Sequence, residues 1–299
     1  MAKTPPLKVH ILGAGCPQPA ALLGRGRYGS GFILQLDDEK ILIDAGPGVT
    51  HKMGLMNIHP LEIHHFFLTH HHYDHQSDVP CFALTRWDSC TGSEPPLTVF
   101  GPAPTKRFFD RLFGEEGAYR DDIIARVKDE VSKALHVRRG GELPRPEPRF
   151  DITDVEPGQT PSLVTSTDRW KVTAVQTHHC EPYLTSLAYR FDTDRGSIVF
   201  AADCGDCESL RELAKGADAM VIGCVLVGSA DLYDNIITGT KNVADIATAA
   251  GVKSVILTHT SPGYVNPGVK EESVADIARM YAGDIIFPEE GDTVPIVIG

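Results

Sequence analysis

The chain has 299 residues, 42% of them hydrophobic and 23% charged, with 28 glycines and 21 prolines. That balance belongs to a folded globular protein and excludes a disordered or fibrous one. Lys+Arg total 28 against Asp+Glu 40, a net charge of −12, which argues against non-specific attraction to nucleic acid or to an anionic membrane surface. No apolar run reaches the roughly 18 residues of a spanning helix, and the start, MAKTPPLK, lacks the apolar stretch of a signal peptide. A soluble cytoplasmic protein without membrane partners is the expectation. The seven cysteines are odd in number and scattered, so they read as reduced thiols.

From Leu7 onward, KVHILGAG, GFILQL and KILIDAGPG alternate apolar runs with turn formers, which predicts strands of an antiparallel sheet. HHFFLTHHHYDH reads as a fourth strand running into a polar loop. Residues from about 80 to 161 change character, with helical patterns in TKRFFDRLFG and DDIIARVKDEVSKALHV and then RRGGELPRPEPRF, whose prolines forbid a helix or a central strand. This stretch is expected to be a helical and loop insertion. Strands return with WKVTAVQTHH, SLAYRFDT and GSIVFAAD, then helix CESLRELAKGA and the buried run DAMVIGCVLVG. The chain closes on helix KNVADIATAAG, strand SVILTH, helix EESVADIARMYAG and DTVPIVIG. Strands mixed with flanking helices in both halves suit a layered α/β sandwich, one domain over 1–299 with the insertion at about 80–161.

Four of the thirteen histidines fall within His70, His71, His72, Tyr73, Asp74 and His75. Alternate residues of an extended chain share a face, so His70 and His72 can converge on one ion while the following turn swings Asp74 and His75 to a neighbouring point. Imidazoles with a carboxylate suit zinc or another first-row metal. Further on lie the pair His178/His179 at a strand end, Asp203 after a strand, and His259. Alternation allows only one of His178 and His179 to point inward.

The spacing H-x-H-x-D-H with these downstream residues resembles the metallo-β-lactamase superfamily, in the manner of its ribonuclease Z and arylsulfatase branch. LGAGCPQP, RGRYGSGFIL and KILIDAGPG are similar to that branch's opening hairpins, and FAADCGDCESL and VILTHTSP to its later segments. The resemblance implies an αββα sandwich and two divalent ions, zinc first with manganese or iron as alternatives. One ion would take His70, His72 and a histidine of the 178/179 pair, with His179 favoured; the other would take Asp74, His75 and His259, and Asp203 would bridge them. Asp74 and Asp203 would then be the catalytic carboxylates, offsetting two of the four positive charges, and a bridging hydroxide would attack phosphorus, sulfur or a carbonyl carbon. Homodimers are common in that branch.

One departure matters. Where relatives carry an acidic residue and then a general-acid histidine, the chain reads Gly223/Cys224 and Thr238/Gly239, with Lys241 or Tyr264 as substitute donors. Proton donation is commonly worth about 10²–10⁴ in rate, so the expected reaction is hydrolysis of a small-molecule substrate with a good leaving group: a phosphoester, sulfate ester, carboxylic ester, lactone or aryl halide. The alternatives are a ribonuclease Z-like phosphodiesterase acting on tRNA precursors, with RNA as partner, and a non-catalytic metal-binding interaction module.

Other features read as structural. Asp44, before a glycine at a strand end, is expected to make a turn and to orient a metal-loop histidine. His10, His51, His59, His64, His65 and His136 read as strand or surface residues, and Cys204 and Cys207 as small packing residues. Arg138, Arg139, Arg145 and Arg149 read as a solvated loop. Gly13-Ala14-Gly15 is not a dinucleotide fingerprint, because Pro17 and Pro19 follow where a phosphate-binding helix would start. Trp87, Phe82 and Phe108 either line an apolar pocket or pack.

Overall fold

The computed structural model describes residues 7–17, 27–201, 203–228 and 236–297. Two seven-stranded sheets face one another, the first in the order β14-β1-β2-β3-β4-β5-β6 and the second β13-β12-β11-β10-β9-β8-β7. The first is built from β1 (Leu7–Gly13), β2 (Gly31–Leu36), β3 (Glu39–Ile43), β4 (Ile63–Phe67), β5 (Leu97–Pro102), β6 (Phe150–Val155) and β14 (Thr293–Pro295). The second holds β7 (Ser162–Ser166), β8 (Trp170–Thr177), β9 (Ser186–Thr193), β10 (Gly196–Phe200), β11 (Ala219–Gly223), β12 (Ser254–Thr258) and β13 (Asp284–Ile286).

The antiparallel expectation holds only for β14, β1, β2 and β3; β3, β4, β5 and β6 run parallel. The reason is the connections. Helix α1 (Val49–Leu55) joins β3 to β4, and a helix of Val79–Ser89 joins β4 to β5, and a crossover of this kind returns the chain to the same end of the sheet. The second sheet has the same division, antiparallel through β7, β8, β9 and β10 and parallel from β10 to β13. The stretch 80–161 is therefore partly built into the first sheet: it supplies β5 and β6 as well as helices. The pattern DDIIARVKDEVSKALHV forms two helices, Arg120–Lys128 and Glu130–Arg138, broken at Asp129, whose side chain caps the second by accepting from Ser132 N–H.

Alternation along the strands divides the apolar residues among three layers. Between the sheets, Phe67 stacks on Phe100 with ring centroids 4.8 Å apart and meets Tyr189 and Phe191 edge-on. Each such pair adds about 0.5–1.5 kcal/mol beyond area burial. Leu12, Ile33 and Phe66 face the helices outside the first sheet, where Phe82 and Trp87 also pack; Trp87 borders a small cavity there with Arg86, Pro146 and Phe150. Val199, Met220 and Leu257 face the helices outside the second, with Cys204 and Cys207 among them. All seven cysteines are free.

Of the basic stretch, Arg138, Arg139 and Arg149 are exposed as their charge suggests, and Arg145 is the exception. Arg145 is buried, lies over the Trp87 ring at 4.5 Å and pairs with Asp88 at 2.7 Å. Arg139 pairs with the same Asp88, and Arg149 donates to the Glu94 carbonyl. Among the described residues, no helix is long and apolar enough to cross a membrane.

Candidate metal centre

Strands β4, β8, β10 and β12 release their chains at one edge of the sandwich; for β4, β10 and β12 this is the carboxyl end of a parallel pair, where clefts form in α/β sheets. After β4 the chain stays extended through His72, whose ψ is 147°, and then makes one helical turn, Tyr73–Gln76. The extended part puts His70 and His72 on one side, and the turn brings Asp74 and His75 inward. At the end of β8, Thr177 and then His179 are buried while His178 between them is not, so alternation resolves the pair with His179 inward. Asp203 follows β10 and His259 follows β12.

Two groups of side chains result, sharing one member. His70, His72, His179 and Asp203 form the first, and Asp74, His75, Asp203 and His259 the second, with one atom from each residue within 4.8 Å of the others in its group. In the first, His72 Nδ1 lies 3.1 Å from His70 Nε2 and 3.0 Å from His179 Nε2, and Asp203 Oδ2 is 3.9 Å from both of those Nε2 atoms. In the second, His259 Nε2 is 3.2 Å from Asp74 Oδ2 and 3.0 Å from Asp203 Oδ2, while His75 Nε2 stands 3.6 Å from Asp74 and 3.5 Å from Asp203.

The donor sets fit metal ions. Ligands about 2.0–2.2 Å from one zinc stand roughly 3.3–3.6 Å apart in a tetrahedron, close to these separations. Asp74 Oδ1, His75 Nε2 and Asp203 Oδ1 are buried without a hydrogen-bond partner among the described residues, a costly state that a cation relieves. Asp44, Asp74 and Asp203 are all nearly inaccessible, and among the described residues their ion-pair partners are histidines rather than Lys or Arg.

Neighbouring groups turn the imidazoles. His75 Nδ1 donates to Asp44 Oδ2 at 2.7 Å, His179 Nδ1 donates to the Ile236 carbonyl at 2.7 Å, and His70 Nδ1 meets Thr69 Oγ1 at 3.0 Å. Each leaves Nε2 facing its group. Asp44 is thus where it was expected, and it also accepts from the Thr69 backbone N–H at 2.8 Å and from Ser30 Oγ at 3.3 Å. Thr69 and the Ile236 carbonyl were not singled out in the sequence. Thr69 adjoins the histidine run, but a main-chain carbonyl from a distant loop leaves no mark in a sequence.

Burial and then the nearby His75 push the His70 imidazolium well below its ordinary value. Burial also opposes ionisation of Asp203, but His259 and His75 outweigh it and hold the carboxyl well below the usual range. For His259 burial lowers the value, while Asp203 and Asp74 raise it to about 9. A neutral His70 and an ionised Asp203 are the forms that bind metal, and protons held by the second group would be released on uptake.

The backbone is strained here. Asp44, Cys180 and His259 have φ of 56°, 57° and 50°, the left-handed region, which costs a non-glycine residue on the order of 1–3 kcal/mol and concentrates at functional sites. Close approach is secured by glycine: a Cβ on Gly46 would sit 2.0 Å from the Asp74 carbonyl oxygen, and one on Gly29 2.4 Å from the same atom.

The family model for the beta-lactamase superfamily domain matches residues 39–260, most of the chain and every residue of both groups. The chain belongs to the metallo-β-lactamase superfamily. It is by that membership a metal-dependent hydrolase. Among curated relatives, ribonuclease Z of Mycobacterium avium is 28% identical over 288 residues, covering 93% of this chain and 94% of the relative. Ribonuclease Z of an Exiguobacterium species is 27% identical over 307 residues, covering 94% and 96%. Among solved structures, the metallo-beta-lactamase fold protein YhfI from Bacillus subtilis superposes with a TM-score of 0.70 at 19% identity, covering 96% of this chain and 98% of that one. Human tRNase Z, short form, gives 0.68 at 17% identity, covering 97% and 100%. These two structures share the superfamily's fold.

No histidine stands at Gly223, Cys224, Thr238 or Gly239, where the resemblance to ribonuclease Z-like proteins leads one to expect the acid. The Thr238 hydroxyl donates to the Gly223 carbonyl at 2.6 Å. Cys224 is buried, with its Sγ 3.2 Å from the Tyr264 hydroxyl. Tyr264 is itself buried, which together with Cys224 raises its phenol far above the ordinary range, so it is a poor proton donor. Lys241 is exposed.

Proposed function

We propose that this protein is a two-metal phosphodiesterase of the ribonuclease Z type, with RNA as its substrate class and zinc as the metal. The observation that carries the reading is the pair of four-residue groups joined at Asp203. The ribonuclease Z relatives support the RNA substrate, because their likeness runs over nearly the full length of both chains. The majority of imidazole ligands supports zinc over magnesium or calcium, with manganese or iron as alternatives.

His70, His72 and His179 would hold one ion, Asp74, His75 and His259 the other, and Asp203 both. Divalent ions bound there would supply a lowered pKa of water and polarisation of the phosphoryl group. The chain's own part is orientation and charge: Asp44, Thr69 and the Ile236 carbonyl fix the imidazoles, and the buried carboxylates keep the centre from accumulating excess positive charge.

A second reading keeps the same centre and changes the leaving group. Gly223, Cys224, Thr238 and Gly239 supply no free proton donor, and the net charge of −12 does not favour a polyanion. Both favour a small phosphodiester or ester with a good leaving group. Zinc-loaded protein is to be assayed on a tRNA precursor and on an aryl phosphodiester, with Asp203→Ala as control. RNA cleavage that falls steeply with salt and is lost in the variant supports the first reading; turnover of the aryl substrate alone supports the second. Activity that survives Asp203→Ala refutes the two-metal centre.

A further inference from the structure

The one histidine of the run that joins neither group is His71, and every polar atom of its ring is engaged. Alternation turns it away from His70 and His72 toward the helix of Thr105–Phe113. Gln76 Nε2 donates to the His71 carbonyl at 2.9 Å, which leaves Gln76 Oε1 to accept from His71 Nδ1 at 2.8 Å. On the other side of the ring, Nε2 lies 3.0 Å from Thr105 Oγ1 and 3.2 Å from the Pro102 carbonyl. Thr105 is fully buried, and the Phe108 ring meets the imidazole edge-on with centroids 5.5 Å apart. That helix is anchored in turn, with Lys106 N–H donating to Asp154 on β6 at 2.8 Å.

We propose that His71 is a positioning residue that sets the metal affinity of the first group. Its peptide lies between those of His70 and His72, so any rotation that frees the ring alters the angle at which both imidazoles converge. The second group has separate supports, with Asp44 on His75 and the glycine-walled turn on Asp74. His71 thereby couples the first metal position most directly to the 80–161 segment, and reaches the second only through Gln76 at the end of the turn that carries Asp74 and His75. Supporting groups around ligands typically set metal affinity by about 10–100-fold.

This inference rests on the two-metal reading, and one titration separates them. Zinc is added to metal-free wild type, His71→Leu and Thr105→Val, with heat and stoichiometry read by calorimetry and the fold checked by circular dichroism. Expected is a wild type that takes two equivalents and a His71→Leu protein in which one step weakens by about 10–100-fold while the other changes far less. Thr105→Val, which removes one partner and leaves the ring in place, is expected to weaken the same step by less. Folded variants with both steps at wild-type affinity overturn the role of His71 alone. A wild type that never takes a second equivalent overturns both.

Discussion

Replacing Asp44 by Asn removes a charge and almost no volume, so the change isolates what the carboxylate does to His75. Oδ1 accepts from the Thr69 backbone N–H at 2.8 Å, a donor that cannot turn away, while Oδ2 faces His75 Nδ1 at 2.7 Å. An asparagine in the same pose keeps its amide oxygen on Thr69 and sets its NH₂ against Nδ1. Two donors cannot share that contact. His75 must then carry its proton on Nε2, the nitrogen that stands 3.6 Å from Asp74 and 3.5 Å from Asp203. The lone pair offered to a cation is lost from the second group. Loss of such a partner costs about 10–100-fold in metal affinity, or about 1.4–2.8 kcal/mol. No atom of His75 belongs to the first group, whose affinity is expected to change far less. Calorimetric zinc titration of metal-free protein reads both steps, and a Co²⁺ titration followed by visible absorption checks the assignment. If Asp44→Asn binds two equivalents with wild-type affinities, Asp44 does not set the proton on His75 and the reasoning fails.

Two further consequences follow from geometry. Gly46→Ala brings a Cβ to 2.0 Å from the Asp74 carbonyl oxygen and 2.8 Å from that of Ser30; forced overpacking costs about 1–3 kcal/mol, so a lowered Tm is expected together with weakened zinc binding, and a wild-type Tm would refute the close contact. Glu94 accepts from the Thr91 and Gly92 backbone N–H groups and from the Thr91 hydroxyl. Burial opposes its ionisation, but these bonds outweigh it and bring the carboxyl from 4.5 down to about 2. A depressed folded value means stability that is complete above the unfolded value and lost as the pH falls through the folded one, so the Tm gap between wild type and Glu94→Gln should narrow from about pH 6 to about pH 3. A gap that stays constant with pH would show that the charge on Glu94 carries none of it.

The strands were legible wherever apolar runs ended in turn formers, because that pattern is local. Their parallel pairing from β3 to β6 was not, since direction depends on crossovers that pack long after the strand itself is written. For the same reason the stretch from 80 to 161 looked like an appendage: the helical patterns after Thr105 were readable, the helix Val79–Ser89 was not, and β5 and β6 are strands only by virtue of the neighbours they pair with. Among the arginines between 138 and 149, which are otherwise exposed as expected, Arg145 departs for a similar reason. Charge suggested solvent, and Arg145 is buried because Asp88 and Trp87, more than fifty residues earlier in the chain, take its guanidinium.

At the metal centre the amino-acid sequence by itself determined the donor inventory and its order, because H-x-H-x-D-H places donors by alternation and a single turn, and those are short-range consequences of backbone geometry. It also determined the absence of an acid histidine at Gly223/Cys224 and Thr238/Gly239. Only the tertiary structure decided that His179 rather than His178 faces inward, that a carbonyl at Ile236 turns it, and that His71 reaches back to Thr105. Those outcomes depend on which surfaces meet when two sheets close on one another, and contacts between residues so far apart along the chain carry no local pattern from which to read them.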